Sequence, residues 1–138
     1  RKGRKMRMGR KNWTNYSTNK NIAKVLILHR IWHNLSQETM AKINSTSFQQ
    51  YQKVEKCHNR IFAEQLFAIC KDRKWDISLF DQEPMEILIK WKNRDFPDYK
   101  IFPDKITKII SAWDKLNREG EANYYGKDKS LELNNIHL

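Results

Sequence analysis

Glycine and proline are scarce in this chain of 138 residues, with four Gly and three Pro. So few turn residues argue against a sheet of many short strands and favour long helical segments. Cysteine is scarcer still. Cys57 and Cys70 lie thirteen positions apart, which is about 20 Å along one helix at 1.5 Å per residue. That is far outside disulfide reach, so the spacing predicts free thiols in a reducing compartment. No apolar run approaches the roughly 20 residues of a membrane span, and no secretory apolar region is present. Gly3, Gly9, Gly120 and Gly126 fit neither the phosphate-loop nor the dinucleotide pattern. Gly-x-Ser-x-Gly and His-Glu-x-x-His do not occur. The expectation is a protein that is not an enzyme, with no cofactor, no small-molecule substrate and no membrane contact.

Acidic residues are missing from the first quarter of the chain, where Glu38 is the first. Before it stand ten basic residues: Arg1, Lys2, Arg4, Lys5, Arg7, Arg10, Lys11, Lys20, Lys24 and Arg30. The formal net charge is +11, so this segment carries all but one of the net charges. The rest of the chain is close to balanced. Such asymmetry predicts a polyanionic partner. Residues 1–12 have no apolar period, and read as a basic arm that stays disordered until a polyanion orders it.

What is present in quantity is aromatic and aliphatic: apolar residues make up 39%, with five Trp, five Tyr and six Phe. That suffices for a modest core. Ile22, Val25, Leu26, Ile31, Trp32 and Leu35 recur near helical spacing, predicting a helix over 19–35 with Thr18 or Asn19 as its cap. Ser36 opens a short second helix bearing Met40 and Ile43. Asn44-Ser45-Thr46 is a turn signal. Ser47 with Gln50 matches a capping box and predicts one long helix to about Lys74. Its apolar stripe is Phe48, Tyr51, Val54, His58, Ile61, Phe62, Leu66 and Ile69. Trp75 to Phe80 is a short connector. Pro84 starts a helix bearing Met85, Leu88, Ile89 and Trp91, and Pro103 a last one bearing Ile106, Ile109, Ile110, Trp113 and Leu116, closed by Gly120.

The fold class expected is all-α. A helix-turn-helix-like unit spans 13–74, a C-terminal helical pair 75–120, and a polar tail 121–138. In the order helix, short helix, turn, long helix, two helices buttress a third whose exposed face can enter a major groove. Gln49, Gln52, Lys53, Lys56, Asn59 and Arg60 form that candidate face. Gln and Asn can pair bidentately with adenine, and Arg with guanine. Trp75, Trp91 and Trp113 read first as core of the C-terminal helices; Trp91, Trp113, Leu131 and Leu133 are also candidate protein-partner residues, because Trp is enriched at interfaces.

His29, His33, Cys57, His58 and Cys70 lack the paired spacings of structural zinc sites, so no metal is expected. Asp72, Asp76, Asp81, Glu83 and Glu86 read as helix caps and surface charge rather than a Mg²⁺ site.

Trp13-Thr14 after a basic stretch resembles the start of a Myb/SANT repeat. Trp13, Trp32 and Tyr51 fall at intervals of nineteen, as core aromatics of such repeats do. Lys56-Cys57-His58-Asn59-Arg60-Ile61 is similar to the Cys-x-x-Arg-aromatic end of a Myb recognition helix. The chain departs from that pattern in lacking acidic residues after Trp13-Thr14. A homeobox-like fold shares the three-helix plan and basic arm, and Trp91-Lys92-Asn93-Arg94 faintly echoes its signature. In overall character the chain resembles the small DNA-binding accessory subunits of ciliate DNA N6-adenine methyltransferase complexes. These resemblances imply a nuclear subunit that anchors a larger complex, such as one with a methyltransferase, to double-stranded DNA. Two other readings are open. One is a structural RNA-binding protein of a mitochondrial ribosome or other ribonucleoprotein. The other is a protein-only scaffold.

Overall fold

In the computed structural model the backbone is described for residues 2–94 and 102–125, and side chains for 16–93 and 104–119. The described residues form six helices and a short 3-10 helix, with no strand. The helices are α1 (Lys2–Trp32), α2 (Gln37–Ile43), α3 (Phe48–Glu55), α4 (Ala63–Arg73), α5 (Pro84–Arg94) and α6 (Phe102–Tyr125); the 3-10 helix is Ile77–Asp81. The fold is all-α. Pro84 opens α5 and Pro103 lies in the first turn of α6, as their fixed φ favours.

The centre of the molecule is the second half of α1. Val25, Leu26, Ile27, Leu28 and His29 are buried in succession. A helix with one core-facing stripe buries every third or fourth residue, so five in a row mean that α1 is enclosed. It is packed by α3, the 3-10 helix, α5 and α6. One core cluster draws on all of these, with Tyr51, Cys57, Ile69, Phe80, Ile87, Ile109 and Trp113 around α1.

The helices end in a shared way. Asn34, Ser45, Cys57 and Lys74 all have φ between 55 and 60°. In each case the following amide reaches back to a carbonyl one turn earlier: Leu35 to Arg30 at 2.8 Å, Thr46 to Ala41 at 3.0 Å, His58 to Lys53 at 2.8 Å and Trp75 to Cys70 at 2.9 Å. This is the Schellman closure, in which the left-handed residue is usually Gly. Here a Gly-poor chain uses residues with a Cβ, each at about 1 kcal/mol of local strain.

Three expectations are corrected. The segment expected as a basic arm has helical backbone from Lys2, continuous with α1, while Arg1 lies outside the described residues. Thr18 and Asn19 therefore sit inside α1 and cap nothing. The single long helix to Lys74 is two, because Cys57 turns the chain and α4 starts again at Ala63. As a result Phe48, His58 and Phe62 of the expected stripe are exposed, while Tyr51, Val54, Leu66 and Ile69 are buried. Gly120 does not end α6, which continues to Tyr125.

Ser36 and Ser47 cap α2 and α3, their hydroxyls accepting from the amides of Thr39 and Gln50 at 3.1 Å. The Ser47 box is one-sided: Gln50 Oε1 accepts from Asn59 Nδ2 at 3.3 Å. Asp76 caps the 3-10 helix through Ser78.

Strain at an exposed closure is removable. Lys74 is exposed, so Lys74→Gly is expected to raise the unfolding free energy by about 1 kcal/mol and Lys74→Val to lower it. Urea denaturation measures both; a destabilised Lys74→Gly would contradict the closure described.

Candidate nucleic-acid interface

The sequence-level candidates separate into distinct environments. Arg30 is turned inward. Its Nε donates to Glu55 Oε2 at 2.7 Å and its Nη2 to Glu55 Oε1 at 3.0 Å, a bidentate pair. Its Nη1 reaches the Leu35 carbonyl at 3.3 Å. The Glu55 side chain is 4% exposed, and Gln37 Nε2 donates to it as well, at 3.0 Å. Burial alone would pull the Arg30 pKa down, but the Glu55 carboxylate more than offsets it and the result is raised. Arg30 ties α1 to α3 and is withdrawn from the phosphate-facing set.

Lys20 and Lys24 lie on α1 beside aromatic rings. Lys20 Nζ is 5.5 Å from the Tyr16 ring centre and Lys24 Nζ is 5.9 Å from that of Trp113. Burial first, then neighbouring Lys20, lowers the Lys24 pKa. Lys2, Arg4, Lys5, Arg7, Arg10 and Lys11 fall in the first part of α1, where the backbone alone is described.

The candidate face of the expected long helix is divided by the break at Cys57. Gln49, Gln52, Lys53 and Lys56 belong to α3 and its end, and Asn59 and Arg60 to the loop that follows. Gln49, Lys53, Lys56, Asn59 and Arg60 are exposed. Gln52 is partly covered and donates to Gln37 Oε1 at 3.2 Å, which joins it to the Arg30–Glu55 group. Beside Asn59 and Arg60 opens a cleft of about 740 Å³, also lined by Asn44, Thr46, Gln50, His58, Phe62 and Gln65.

The tryptophans named as partner candidates lie in the core or against it. Trp113 is 4% exposed and belongs to the core; its indole N–H donates to the Lys24 carbonyl at 2.9 Å. Trp91 is partly covered and packs 5.3 Å from Trp32 and 4.9 Å from His29, between ring centres. Leu131 and Leu133 lie outside the described residues. The apolar side chains that do face outward are Phe48, Phe62, Phe67, Ile77, Met85 and Ile89. Met85 and Ile89 were legible as α5 positions, but which side α5 buries was not.

His29 is the core's most unusual member. It stacks on Trp75 at 4.2 Å and lies 5.7 Å from Phe80 and 5.9 Å from His33. Neither ring nitrogen has a hydrogen-bond partner among the described residues. Burial first, then the neighbouring His33, lowers its pKa to about 3. His33 is also lowered, by burial and then by Lys105 and Arg73. Among the described residues no three His, Cys, Asp or Glu side chains are grouped as a metal ion would need. No helix described is long and apolar enough to cross a membrane. No protein-family model, curated protein or solved structure matches this chain.

Two outcomes follow. Glu55→Ala leaves the Arg30 charge buried and unpaired, and is expected to cost about 3 to 5 kcal/mol. The double variant Arg30→Met, Glu55→Met should recover most of that in urea denaturation; additive losses would contradict a coupled pair. For His29 the folded pKa lies below the unfolded one, so the unfolded state binds more protons between pH 3 and 6.5. Stability is therefore full above pH 6.5 and falls as pH drops towards 3, by an amount on the order of 4 kcal/mol. His29→Phe keeps the stack and should flatten that limb between pH 7 and 4; an unchanged pH profile would show that other groups set it.

Proposed function

We propose that this protein is a non-catalytic, nuclear DNA-binding subunit whose basic first helix anchors a larger complex to double-stranded DNA. One observation carries the reading: α1 joins an acid-free basic segment to the buried centre of the fold. Polyanion contact at one end is thereby tied directly to a folded body at the other. In helical register, positions 2 and 5, 4 and 7, 7 and 10, and 7 and 11 are neighbours, and all are basic. Like charges at that spacing, near the positive end of the helix dipole, disfavour the helix on its own. Phosphates remove that penalty, so binding and helix formation support one another.

Affinity arises from release of counterions as phosphates are neutralised. Gln49, Lys53, Lys56, Asn59 and Arg60 are the exposed groups that add phosphate or base contacts. A protein partner, such as a DNA-modifying enzyme, would meet the outward Phe67, Met85 and Ile89. The Myb- or homeobox-like resemblance stays part of this proposal.

Fluorescence anisotropy with a labelled duplex between 50 and 200 mM salt is the test. If five or six phosphates are engaged, log K falls against log salt with a slope of about −5. Changing Lys2, Arg4, Lys5, Arg7, Arg10 and Lys11 to Gln should abolish most of that slope. Tighter binding to a structured RNA at equal salt would move the assignment to a ribonucleoprotein. Absence of salt-sensitive binding to either would leave a protein-only scaffold and end the proposal.

A further inference from the structure

The cleft beside Asn59 has features that a phosphate-binding helix does not need. Its floor is Asn44, Tyr51 and Val54, all buried. Its rim is exposed Gln50, His58, Asn59, Arg60 and Phe62, with Gln65 partly covered. None of the ten lining residues is acidic. The break at Cys57 makes the cleft, because α4 starts in a new direction and its Phe62 and Gln65 line the same space as Gln50, Tyr51 and Val54 of α3. On one unbroken helix, Gln50 and Gln65 would be about 22 Å apart at 1.5 Å per residue.

Phe62 is the telling side chain. It occupies the N-cap of α4, where Ser, Thr, Asp or Asn is preferred because a short side-chain oxygen satisfies an open amide. Phe62 offers no such oxygen, and the residue is 65% exposed. The first turn of α4 is instead closed from the other direction, by Gln65 Oε1 accepting from the Phe62 amide at 3.1 Å. Two amide side chains on the facing wall are joined in the same manner, Asn59 Nδ2 donating to Gln50 Oε1. Gln50, Asn59 and Gln65 all line the cleft, and the bonds just described engage one amide atom of each. The site thus sets an exposed aromatic side chain among three side-chain amides, with Arg60 also in its lining.

We infer that this cleft receives one unpaired nucleobase, with its ring stacked on Phe62 and its edge hydrogen-bonded by the side-chain amides of Gln50, Asn59 and Gln65. A planar heterocycle with alternating donors and acceptors matches that set, as Asn and Gln match adenine. Its volume lies in the range of small-ligand sites and exceeds what a base alone fills, leaving room for the sugar and a phosphate near Arg60. A base inside a duplex cannot present its face to Phe62, so the ligand is a bulged, flipped or single-stranded nucleotide. The inference rests on the polynucleotide reading above for the source of the base, but the site's chemistry is independent of the basic helix.

The full chain is tested against three labelled duplexes: one fully paired, one with a single bulged adenine, and one with an abasic residue at the bulge. Stacking of one base is worth roughly 1 to 3 kcal/mol, so the bulged adenine should bind about tenfold tighter than the paired duplex. The abasic bulge should lose that gain, which separates base capture from easier bending. Phe62→Ala should erase the preference without altering the salt slope, and Phe62→Trp should retain it. Equal affinity for all three duplexes, or a preference that survives Phe62→Ala, overturns the inference. If no duplex binds at low salt, adenosine monophosphate followed by NMR decides. Shifts at Phe62 and the Asn59 amide at millimolar ligand, absent in Phe62→Ala, keep the cleft and remove the basic-helix reading; no shifts remove both.

Discussion

Enclosure of α1 between Ala23 and Trp32 is the constraint on which the rest of the structure depends. A helix buried on every side must find a place for each side chain it carries, polar ones included. Arg30 is placed by Glu55, with Gln37 and the Leu35 carbonyl completing its surroundings. His29 is placed by aromatic rings alone, and remains neutral because they cannot stabilise its charge. Lys24 sets its ammonium 5.9 Å from the Trp113 ring centre, and the Trp113 indole N–H bonds the Lys24 carbonyl. Each of these contacts joins α1 to a different neighbour. The central helix therefore fixes where α3, the 3-10 helix, α5 and α6 stand.

The same helix carries the charge asymmetry. Its first half is basic and lacks any apolar stripe, while its second half is core. The two properties favour different surroundings, a polar one for the first half and apolar side chains for the second. One continuous helix of 31 residues, about 46 Å long, carries both.

Scarcity of glycine shapes the rest. Helices here stop at Asn34, Ser45, Cys57 and Lys74, where local strain is tolerated because the following residue packs or bonds back. Leu35 and Trp75 follow two of these stops, and both are packed against the core. The stop at Cys57 is held by a fully buried thiol, which burial pushes up to about 12 in pKa and so keeps protonated. Without that stop there would be neither a separate α4 nor the cleft that Phe62 rims.

By itself, the sequence determined the helical class, through its lack of turn residues and its apolar spacing, and it placed the starts of α2, α3 and α5 through Ser36, Ser47 and Pro84. It also located the positive charge, since counting charges needs no geometry. The break inside the expected long helix was a different matter. With no Gly at that stop, nothing local distinguished Cys57 from helix interior, and tertiary packing supplied the energy to hold it left-handed. Burial was likewise decided in three dimensions. Spacing alone could not tell that Trp113 faces in while Phe62 and Phe67 face out, or that Arg30 would meet Glu55 from twenty-five residues away. Those outcomes depend on which helices surround α1, and that is a property of the assembled core rather than of any one segment.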